Sequence, residues 1–444
     1  ASVSAIIQAF KDADLRKKII FTLIMIIAYR IGAQIPTPGV DYASISAQLR
    51  QLTQESGDLY SVINLFSGGA LLQLSIFAIG IMPYITASII VQLLTVVIPH
   101  FEQLKKEGQS GQSKMTQYTR YLTLALALLQ SAGIVALADR QQLLGQGVEV
   151  LDPNRNLFTL IVMVIVMTSG AVLVMWMGEL ITEKGIGNGM SLLIFAGMAT
   201  RLPTDGVQIL QNNGGLVFAM VVVGIIILVV GITFIEQGQR RIPVQYAKRM
   251  VGRRQYGGSS TYLPLKVNQA GVIPVIFASS LIYMPVLITQ IVNSSQATPP
   301  DNWWQRNVIA WLQAPSSWQY ILMYFVLTIF FSYFYVSVQY DPAEQADNMK
   351  RYGGFIPGIR PGRPTAEYLG FVMNRLLFVG AIYLALIAVM PNVLLDMGVG
   401  GQGSGGGMSA FGGTAILILV SVALTTVKQI ESQLLQSNYE GLLK

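Results

Sequence analysis

Most Lys and Arg residues are concentrated in alternate gaps between ten apolar stretches, each of which is long enough to cross a membrane. One set of gaps holds most of the 29 basic residues. The opposite set holds only Arg30, Arg50, Arg140, Arg155, Arg201 and Arg306. Because basic residues are retained on the cytoplasmic side of a membrane, the richer set is assigned to the cytoplasm. The alternation predicts a multi-pass membrane protein with both termini in the cytoplasm.

The composition agrees with a chain embedded in lipid. Hydrophobic residues make up 52% of the sequence, charged residues 11%, and the mean hydropathy is +0.54, whereas a soluble domain carries about 25% charged residues. The absence of Cys excludes a disulfide framework and a thiolate metal site. The net charge of +7 favours contact with anionic lipid headgroups or an acidic partner. No cleavable signal peptide is expected, because the first apolar run, 19–31, continues through Arg30.

The sequence predicts an all-α polytopic fold, since an unpaired backbone group is costly in lipid. Each predicted span is close to the roughly 20 residues that cross a bilayer. The predicted spans are 19–37, 74–98, 119–138, 156–179, 189–208, 216–236, 268–290, 319–338, 369–391 and 412–428. Five spans precede a predicted turn at 206–215 and five follow it. Because five is odd, the halves 1–208 and 209–444 are expected to have inverted orientations.

One apolar stretch, 60–98, is too long for a single span. As one helix it would extend about 58 Å at 1.5 Å per residue, so we expect a break at Gly68 and Gly69. The segment 60–72 is then too short to span and lies on the external side. It is either a re-entrant helix that lines a cavity or an amphipathic helix on the outer leaflet, and the residues alone leave both readings open.

The predicted spans contain almost no ionisable side chains in their middles. Glu179, Glu236 and Arg375 fall near span ends, and His100 follows a predicted helix end. Ion-coupled transporters usually place ionisable groups at mid-membrane, and an intramembrane enzyme needs paired acids or metal ligands. We therefore expect no catalysis and no cofactor, and a secondary transporter built on inverted repeats is the alternative. The glycine-rich segment 185–189 predicts a tight turn, because no strand precedes it and no phosphate-binding Lys follows.

Proline and amide side chains occur inside the predicted spans. Pro83, Pro274 and Pro285 each remove a helix hydrogen bond and permit a kink. Gln92, Gln130 and Asn268 are amides that need partners, and such bonds between helices stabilise by about 0.6 kcal/mol on average. They serve either as contacts that hold helices together or as a seam that can open.

Several long runs resemble the SecY family, whose members are the central subunits of the bacterial protein-conducting channel. Among them are GELITEKGIGNGMSLLIFAG, QRRIPVQYAKRM and GGFIPGIRPGRPT. The resembling runs cover residues 63–97, 178–197, 239–250, 263–281, 353–365 and 411–418. The resemblance extends over nearly the whole chain and implies ten transmembrane helices in two inverted five-helix halves that surround an hourglass pore.

The resemblance also implies a ring of apolar side chains that seals the pore. The matching residues are Ile81, Ile85, Met190, Ile194, Ile276 and Ile418. Residues 81 and 85, like 190 and 194, are four apart and therefore point the same way along a helix. An apolar constriction excludes water and ions by dewetting. Taken singly and without the resemblance, each of these residues is better explained by lipid contact or by a place in the core.

Two further elements follow from the resemblance. The re-entrant segment 60–72 matches the plug that closes the external funnel, with Ile63, Asn64, Leu65, Phe66, Ser67, Gly68 and Gly69 at its centre. The second and seventh spans match the lateral gate, where a signal sequence enters and passes into lipid. The residues assigned to this gate are Thr86, Gln92, Gln130, Asn268 and Met284.

Two long cytoplasmic loops, about 237–266 and 339–368, form the predicted partner surface. The first holds seven basic residues and no acid. Positive-inside topology alone explains this sign, but the resemblance implies docking of the SecA ATPase and of the ribosome, whose RNA phosphates suit Arg contacts. The assigned residues are Arg240, Arg241, Lys248, Arg249, Arg253, Arg254, Arg351, Arg360 and Arg363.

The function predicted from the sequence is the pore subunit of a translocon in the bacterial plasma membrane. It moves unfolded polypeptides across the membrane or into it without catalysing a bond change. The expected partners are SecE-type and SecG-type small membrane subunits, the SecA ATPase, the ribosome, signal-sequence-bearing polypeptides and anionic lipids. Energy must come from these partners, because the sequence contains no nucleotide site.

Overall fold

The fold is mainly helical. The computed structural model describes residues 13–39, 75–106, 109–139, 156–246, 249–251, 254–256, 260–268, 271, 273–278, 281–282, 285, 318–396 and 418–432. Four helical stretches in this part of the chain are long and apolar enough to cross a membrane: Leu157–Lys184, Phe218–Glu236, Trp318–Arg351 and Arg363–Val389. The helical membrane architecture is therefore confirmed, and the count of ten spans stays a prediction.

Six helices lie in the described residues of the N-terminal part. They are α1 (Ala13–Gln34), α2 (Met82–Val97), α3 (Pro99–Lys106), α4 (Gln109–Asp139), α5 (Leu157–Lys184) and α6 (Gly189–Glu236). Helix α2 begins eight residues later than the predicted span, after a non-helical stretch at 75–81. Pro83 consequently lies in the first turn of α2, where its missing N–H breaks no helix bond. The prediction that Pro83 kinks a span was wrong for this reason.

The stretch 75–81 packs between α1 and α5. The Ile76 N–H donates to the Ile35 carbonyl at 3.0 Å, next to a bridge that pairs Pro36 with Ser75. Phe77 stacks on Tyr29 of α1, with ring centroids 5.8 Å apart. A Cβ at Gly170 of α5 would overlap the Ile76 carbonyl oxygen. These contacts fix the point at which α2 begins.

Helix α6 differs from the sequence prediction. It runs continuously for 48 residues through the turn that was predicted at 206–215. The Gly and Asn residues that suggested a turn also adopt helical dihedral angles, and turn composition is therefore weak evidence against a helix. The predicted turn was wrong, whereas the division into halves at 208 stays a prediction.

The C-terminal part contains helices α7 (Trp318–Gln339), α8 (Pro342–Arg351) and α9 (Arg363–Asp396). Residues 273–278 and 418–432 are also helical. Asp341 caps α8 by accepting from the Ala343 N–H at 3.0 Å. Helix α9 begins six residues before its predicted span and packs along α7.

A small β structure follows α6. Its strands are β1 (Gln239–Tyr246), β2 (Arg249–Val251), β3 (Arg254–Tyr256), β4 (Ser260–Lys266) and β5 (Gly354–Phe355). The antiparallel order is β4-β1-β5, and β2 and β3 pair separately. The register sets Ile242 opposite Leu263 and Gln245 opposite Phe355. The sheet was not predicted.

Two large apolar clusters organise the described part of the chain. The helical cluster contains buried side chains of α2, α4, α5, α6, α7 and α9 and of the helical residues 273–278 and 418–432. The sheet cluster joins the inner face of β1 and β4 to the adjoining ends of α7 and α9. Its buried members are Ile242, Val244, Leu265, Val336, Ile356, Leu369, Val372, Met373 and Leu377.

Candidate functional site

The six residues assigned to the ring lie together in the helical cluster. Ile81, Ile85, Met190, Ile194, Ile276 and Ile418 are all buried there, with exposed fractions of at most 9%. They come from four helical segments: α2, α6, 273–278 and 418–432. The structure therefore brings residues from both predicted halves into one apolar centre, while their role in sealing a pore stays a prediction.

Helix starts position four of these residues. Ile81 is the N-cap of α2, and its carbonyl accepts from the Ile85 N–H at 3.1 Å. Asn188 caps α6 by accepting from the Met190 N–H at 3.1 Å, which sets the direction of Met190 and Ile194. The apolar pairs therefore occupy the first turns of two helices.

Glycine allows α5 to pack closely against the starts of α2 and α6. A Cβ at Gly178 of α5 would lie 3.3 Å from the Ile81 Cδ1 atom and 3.8 Å from the Met190 nitrogen. A Cβ at Gly189 would overlap the Gly178 carbonyl oxygen. Small residues at such positions let helix backbones approach closely in membranes. Gly178 and Gly189 were not singled out from the sequence, and their place in the run GELITEKGIGNG was the available signal.

The chemistry of this centre is apolar. Among the described residues, no Asp, Glu, Lys, Arg or His side chain is classed as buried. The same part of the chain contains no group of three or more His, Cys, Asp or Glu residues arranged to hold a metal. Apolar side chains of this kind disfavour contact with water and ions, which is compatible with the predicted seal.

The residues assigned to the lateral gate have different environments. Thr86 donates to the Met82 carbonyl of its own helix at 3.0 Å. The Gln92 Oε1 atom is buried and accepts no hydrogen bond from any described residue. Gln130 is buried on α4. Asn268 donates through Nδ2 to Glu236 Oε1 at 2.8 Å and so contacts the end of α6. Met284 lies outside the described residues.

The assigned plug residues, Ile63, Asn64, Leu65, Phe66, Ser67, Gly68 and Gly69, also lie outside the described residues.

Most of the basic residues assigned to docking are exposed around the sheet. Arg240 and Arg241 are exposed on β1, and Arg351, Arg360 and Arg363 are exposed at the ends of α8 and α9. Arg249 and Arg254 lie on β2 and β3. Lys248 and Arg253 lie outside the described residues.

Arg360 occupies a tight turn between β5 and α9. Gly358 and Gly362 flank it with φ angles of +85° and +100°, which L-residues rarely adopt. The Arg360 carbonyl accepts from the Thr365 hydroxyl at 2.7 Å. The backbone of this turn is therefore held while the Arg360 side chain remains exposed.

Strand β5 joins the two predicted loops into one surface. It pairs with β1, so that Tyr246 lies opposite Gly354. A Cβ at Gly354 would lie 2.9 Å from the Tyr246 ring, which favours glycine there. The alternation of Ile242, Val244 and Tyr246 was the sequence signal for the strand, and prolines in both strands masked it.

Known proteins share the sequence pattern and the fold of this chain. A SecY family profile matches residues 75–427. The protein translocase subunit SecY of Corynebacterium glutamicum is 81% identical over 442 residues, with both chains covered completely. The chain belongs to the SecY family. The resemblance seen in the sequence is thereby confirmed.

Two solved structures have the same fold. One is a SecY channel whose plug domain is described as maintaining a membrane seal, with a TM-score of 0.64 and 18% identity. The other is Sec61 in a canine ribosome–channel complex, with a TM-score of 0.60 and 16% identity. Each alignment covers 93% of this chain and 91% of the other. At such identities the likeness supports the fold alone.

Membership of the SecY family determines the class of function. This chain is a multi-pass membrane protein of a family of protein translocase subunits, and its fold is that of a protein-conducting channel. The alternative of a secondary transporter for a small solute finds no support in these relatives.

Proposed function

We propose that the chain forms the pore through which unfolded secretory polypeptides cross the bacterial plasma membrane, with both termini in the cytoplasm. It catalyses no bond change. The observation that carries the proposal is the burial of six apolar residues from four helical segments in one cluster.

The ring closes the resting pore and yields to a passing chain. Ile and Met side chains make no directed hydrogen bond, and the constriction therefore accepts polypeptides of different sequence. Met190 is unbranched and flexible, which keeps contact with side chains of different size. The seal against ions comes from exclusion of water rather than from charge.

The lateral gate lies between the second and seventh predicted spans, near Thr86, Gln92, Gln130, Asn268 and Met284. A buried acceptor without a partner costs roughly 1–3 kcal/mol. Within the described part of the chain, the Gln92 Oε1 atom is such an acceptor. It makes the closed seam less stable than an all-apolar contact, which supports a seam that opens for signal sequences and membrane segments.

The sheet and the adjoining ends of α8 and α9 are the docking surface for partners that supply energy. Arg side chains suit carboxylates of the SecA ATPase and phosphates of ribosomal RNA. The related canine Sec61 occurs in a ribosome–channel complex. SecE-type and SecG-type subunits complete the channel in the membrane, and anionic lipids contact the basic face.

Site-specific crosslinking tests the proposed pore. A photoreactive amino acid replaces Ile276 in a channel that is embedded in vesicles with its partner subunits and motor. During transport of a stalled signal-bearing precursor, it should crosslink to the precursor. The matched control is Leu386, whose side chain is 55% exposed on the surface of α9. Crosslinking from position 386 but not from 276 would contradict the proposal.

A further inference from the structure

We propose that Glu236 is a positioning residue of the channel. Through its hydrogen bond with Asn268, it holds the start of the seventh predicted span and thereby places Ile276, one of the residues assigned to the ring. The inference rests on the proposed function, because it assigns a means of keeping that pore closed. Glu236 was noted in the sequence only as a charge at a span end.

The carboxylate of Glu236 is held at the end of α6, where the chain enters β1. Asn268 lies where the chain leaves β4 and starts toward Ile276. Its Nδ2 atom donates to Glu236 Oε1 at 2.8 Å and makes a longer contact of 3.4 Å with the Gly271 carbonyl. Asn268 is 3% exposed, so that water does not readily replace this bond. Hydrogen bonds to an ionised acceptor are stronger than neutral ones.

Backbone contacts hold the same place from two sides. The Val267 N–H donates to the Gly238 carbonyl at 3.0 Å, which extends the β1–β4 pairing toward α6. On the other side, a Cβ at Gly380 of α9 would overlap the Val267 carbonyl oxygen. The chain at 267–268 is therefore packed between α6 and α9. The Glu236–Asn268 bond adds a side-chain contact that holds Asn268, eight residues before Ile276.

The charge of Glu236 also acts on two lysines. Lys266 ends β4, and Lys428 lies on the 418–432 helix that carries the ring residue Ile418. Burial lowers the pKa of Lys266, the positive charge of Lys428 lowers it further, and the carboxylate of Glu236 opposes both effects. Without the carboxylate, two half-buried cations would repel each other across the segments that carry Ile276 and Ile418.

These contacts occur where Ile276 and Ile418 are both buried, and we assign this arrangement to the closed pore. A bond made in one state and weakened in the other biases the equilibrium toward the first. Loss of the Glu236–Asn268 bond is therefore expected to favour the open pore. It should increase resting leak and reduce the stringency with which signal sequences are accepted.

The test compares export of two reporters by the complete channel in membranes, one with an intact signal sequence and one with a charge in the signal core. Glu236→Ala is expected to raise the ratio of defective-signal to intact-signal export by about fivefold to tenfold. Glu236→Gln should recover at least half of that effect on a logarithmic scale, because its amide oxygen still accepts from Asn268. Asn268→Ala should match Glu236→Ala, and the double variant should exceed neither by more than twofold.

Glu179→Gln is the matched control. Glu179 also lies near the end of a membrane helix and pairs with Arg120 at 2.7 Å, but it belongs to α5 and should leave the ratio unchanged. A purely structural role of Glu236 would lower the abundance of the channel and both exports together. If Glu236→Ala does not accumulate, Asn268→Ala alone decides the outcome.

The proposal is overturned if well-folded Glu236→Ala and Asn268→Ala leave the ratio at the wild-type value, if their effects add in full, or if Gln is as harmful as Ala. Failure of the proposed function looks different, because the wild-type channel would then export neither reporter.

Discussion

The helical cluster and the sheet cluster bury apolar side chains by different means. In the helical cluster, backbones approach closely at Gly178 and Gly189, and apolar side chains from helices far apart in sequence meet. In the sheet cluster, β1 pairs with β4 and β5, and its inner face packs on α7 and α9. The first cluster depends on van der Waals contact within lipid. The second combines backbone hydrogen bonds with burial of large aliphatic side chains.

The two clusters also differ in what they present to other molecules. Around the sheet cluster, Arg side chains are exposed on a backbone held by strand pairing and glycine turns. The helical cluster presents no charge at its centre. Under the proposed function, selectivity for partners belongs to the sheet, while the helical cluster moves without selecting sequence. We expect that movement in the helical cluster is required for transport, and that movement in the sheet cluster is not.

The largest effect is expected from locking the proposed gate. Thr86 follows Ile85 by about 100° around a helix, and Met284 follows Ile276 by about 80° after eight residues. Both side chains then flank the pore on the side where the two spans should meet. The pair Thr86→Cys and Met284→Cys should form a disulfide on mild oxidation, if the Cα atoms lie within about 7 Å. Oxidation should block transport of a precursor completely, and reduction should restore it.

An engineered disulfide between β1 and β4 provides the control for this experiment. Ile242 and Leu263 lie directly opposite each other on β1 and β4, and cysteines at both positions should also crosslink. Transport should continue, because this cluster need not open. Full transport through a channel with an oxidised gate, or a block of transport by the oxidised sheet, would contradict the expected difference between the two clusters.

Charge reversal at Arg360 is expected to reduce motor-driven transport by about thirtyfold or more, since removing one partner of a charge pair that is buried on docking costs roughly 2–5 kcal/mol. Arg360→Glu should leave insertion and folding intact, because the side chain is exposed. The measurement is precursor transport and ATPase stimulation with the purified channel. Lys17→Glu, an exposed reversal on α1 away from the sheet, should retain activity. Equal losses in both variants would attribute the effect to general charge.

Polar substitutions in the ring should raise resting ion conductance several-fold. Ile276→Asn and Ile418→Asn place an amide where water is excluded, which wets the constriction and weakens the closed state. The same variants should export a reporter with a defective signal sequence more efficiently. Leu369→Asn puts an amide into the sheet cluster and should lower stability without a leak. Unchanged conductance in both ring variants would count against a pore at these positions.

The smallest effect on transport is expected when a buried side chain of the sheet cluster is shortened. Leu265→Ala removes a buried side chain and should destabilise the local structure by about 2–5 kcal/mol. Tyr262→Ala, at a position 63% exposed, should change stability by about 0.5 kcal/mol or less. Hydrogen exchange at β1 amides measures both. Faster exchange with transport within about twofold of wild type is expected for Leu265→Ala at low temperature.

Local patterns in the sequence were sufficient for part of this account. Apolar length and charge asymmetry predicted a multi-pass helical protein, because lipid imposes these properties on each segment separately. The runs that resemble the SecY family supplied the six residues assigned to the ring, and the structure buries all six in the helical cluster, while their role stays a prediction. Helix boundaries were less accurate, since α4 begins ten residues before its predicted span and Pro83 opens a helix rather than bending one.

Tertiary structure alone decided which distant residues meet. Strand β5 joins β1 from more than a hundred residues away, and no local period indicates which strands will pair. The bond from Asn268 to Glu236 likewise depends on β1 and β4 returning the chain to the end of α6. Close approach at Gly178 and Gly189 needs both helices in place before the missing side chains have a consequence. Hydrophobicity and charge act locally, so the sequence alone predicts the environment of each segment. The proposed docking surface and the proposed support of Ile276 arise from contacts between distant segments, so they require the fold.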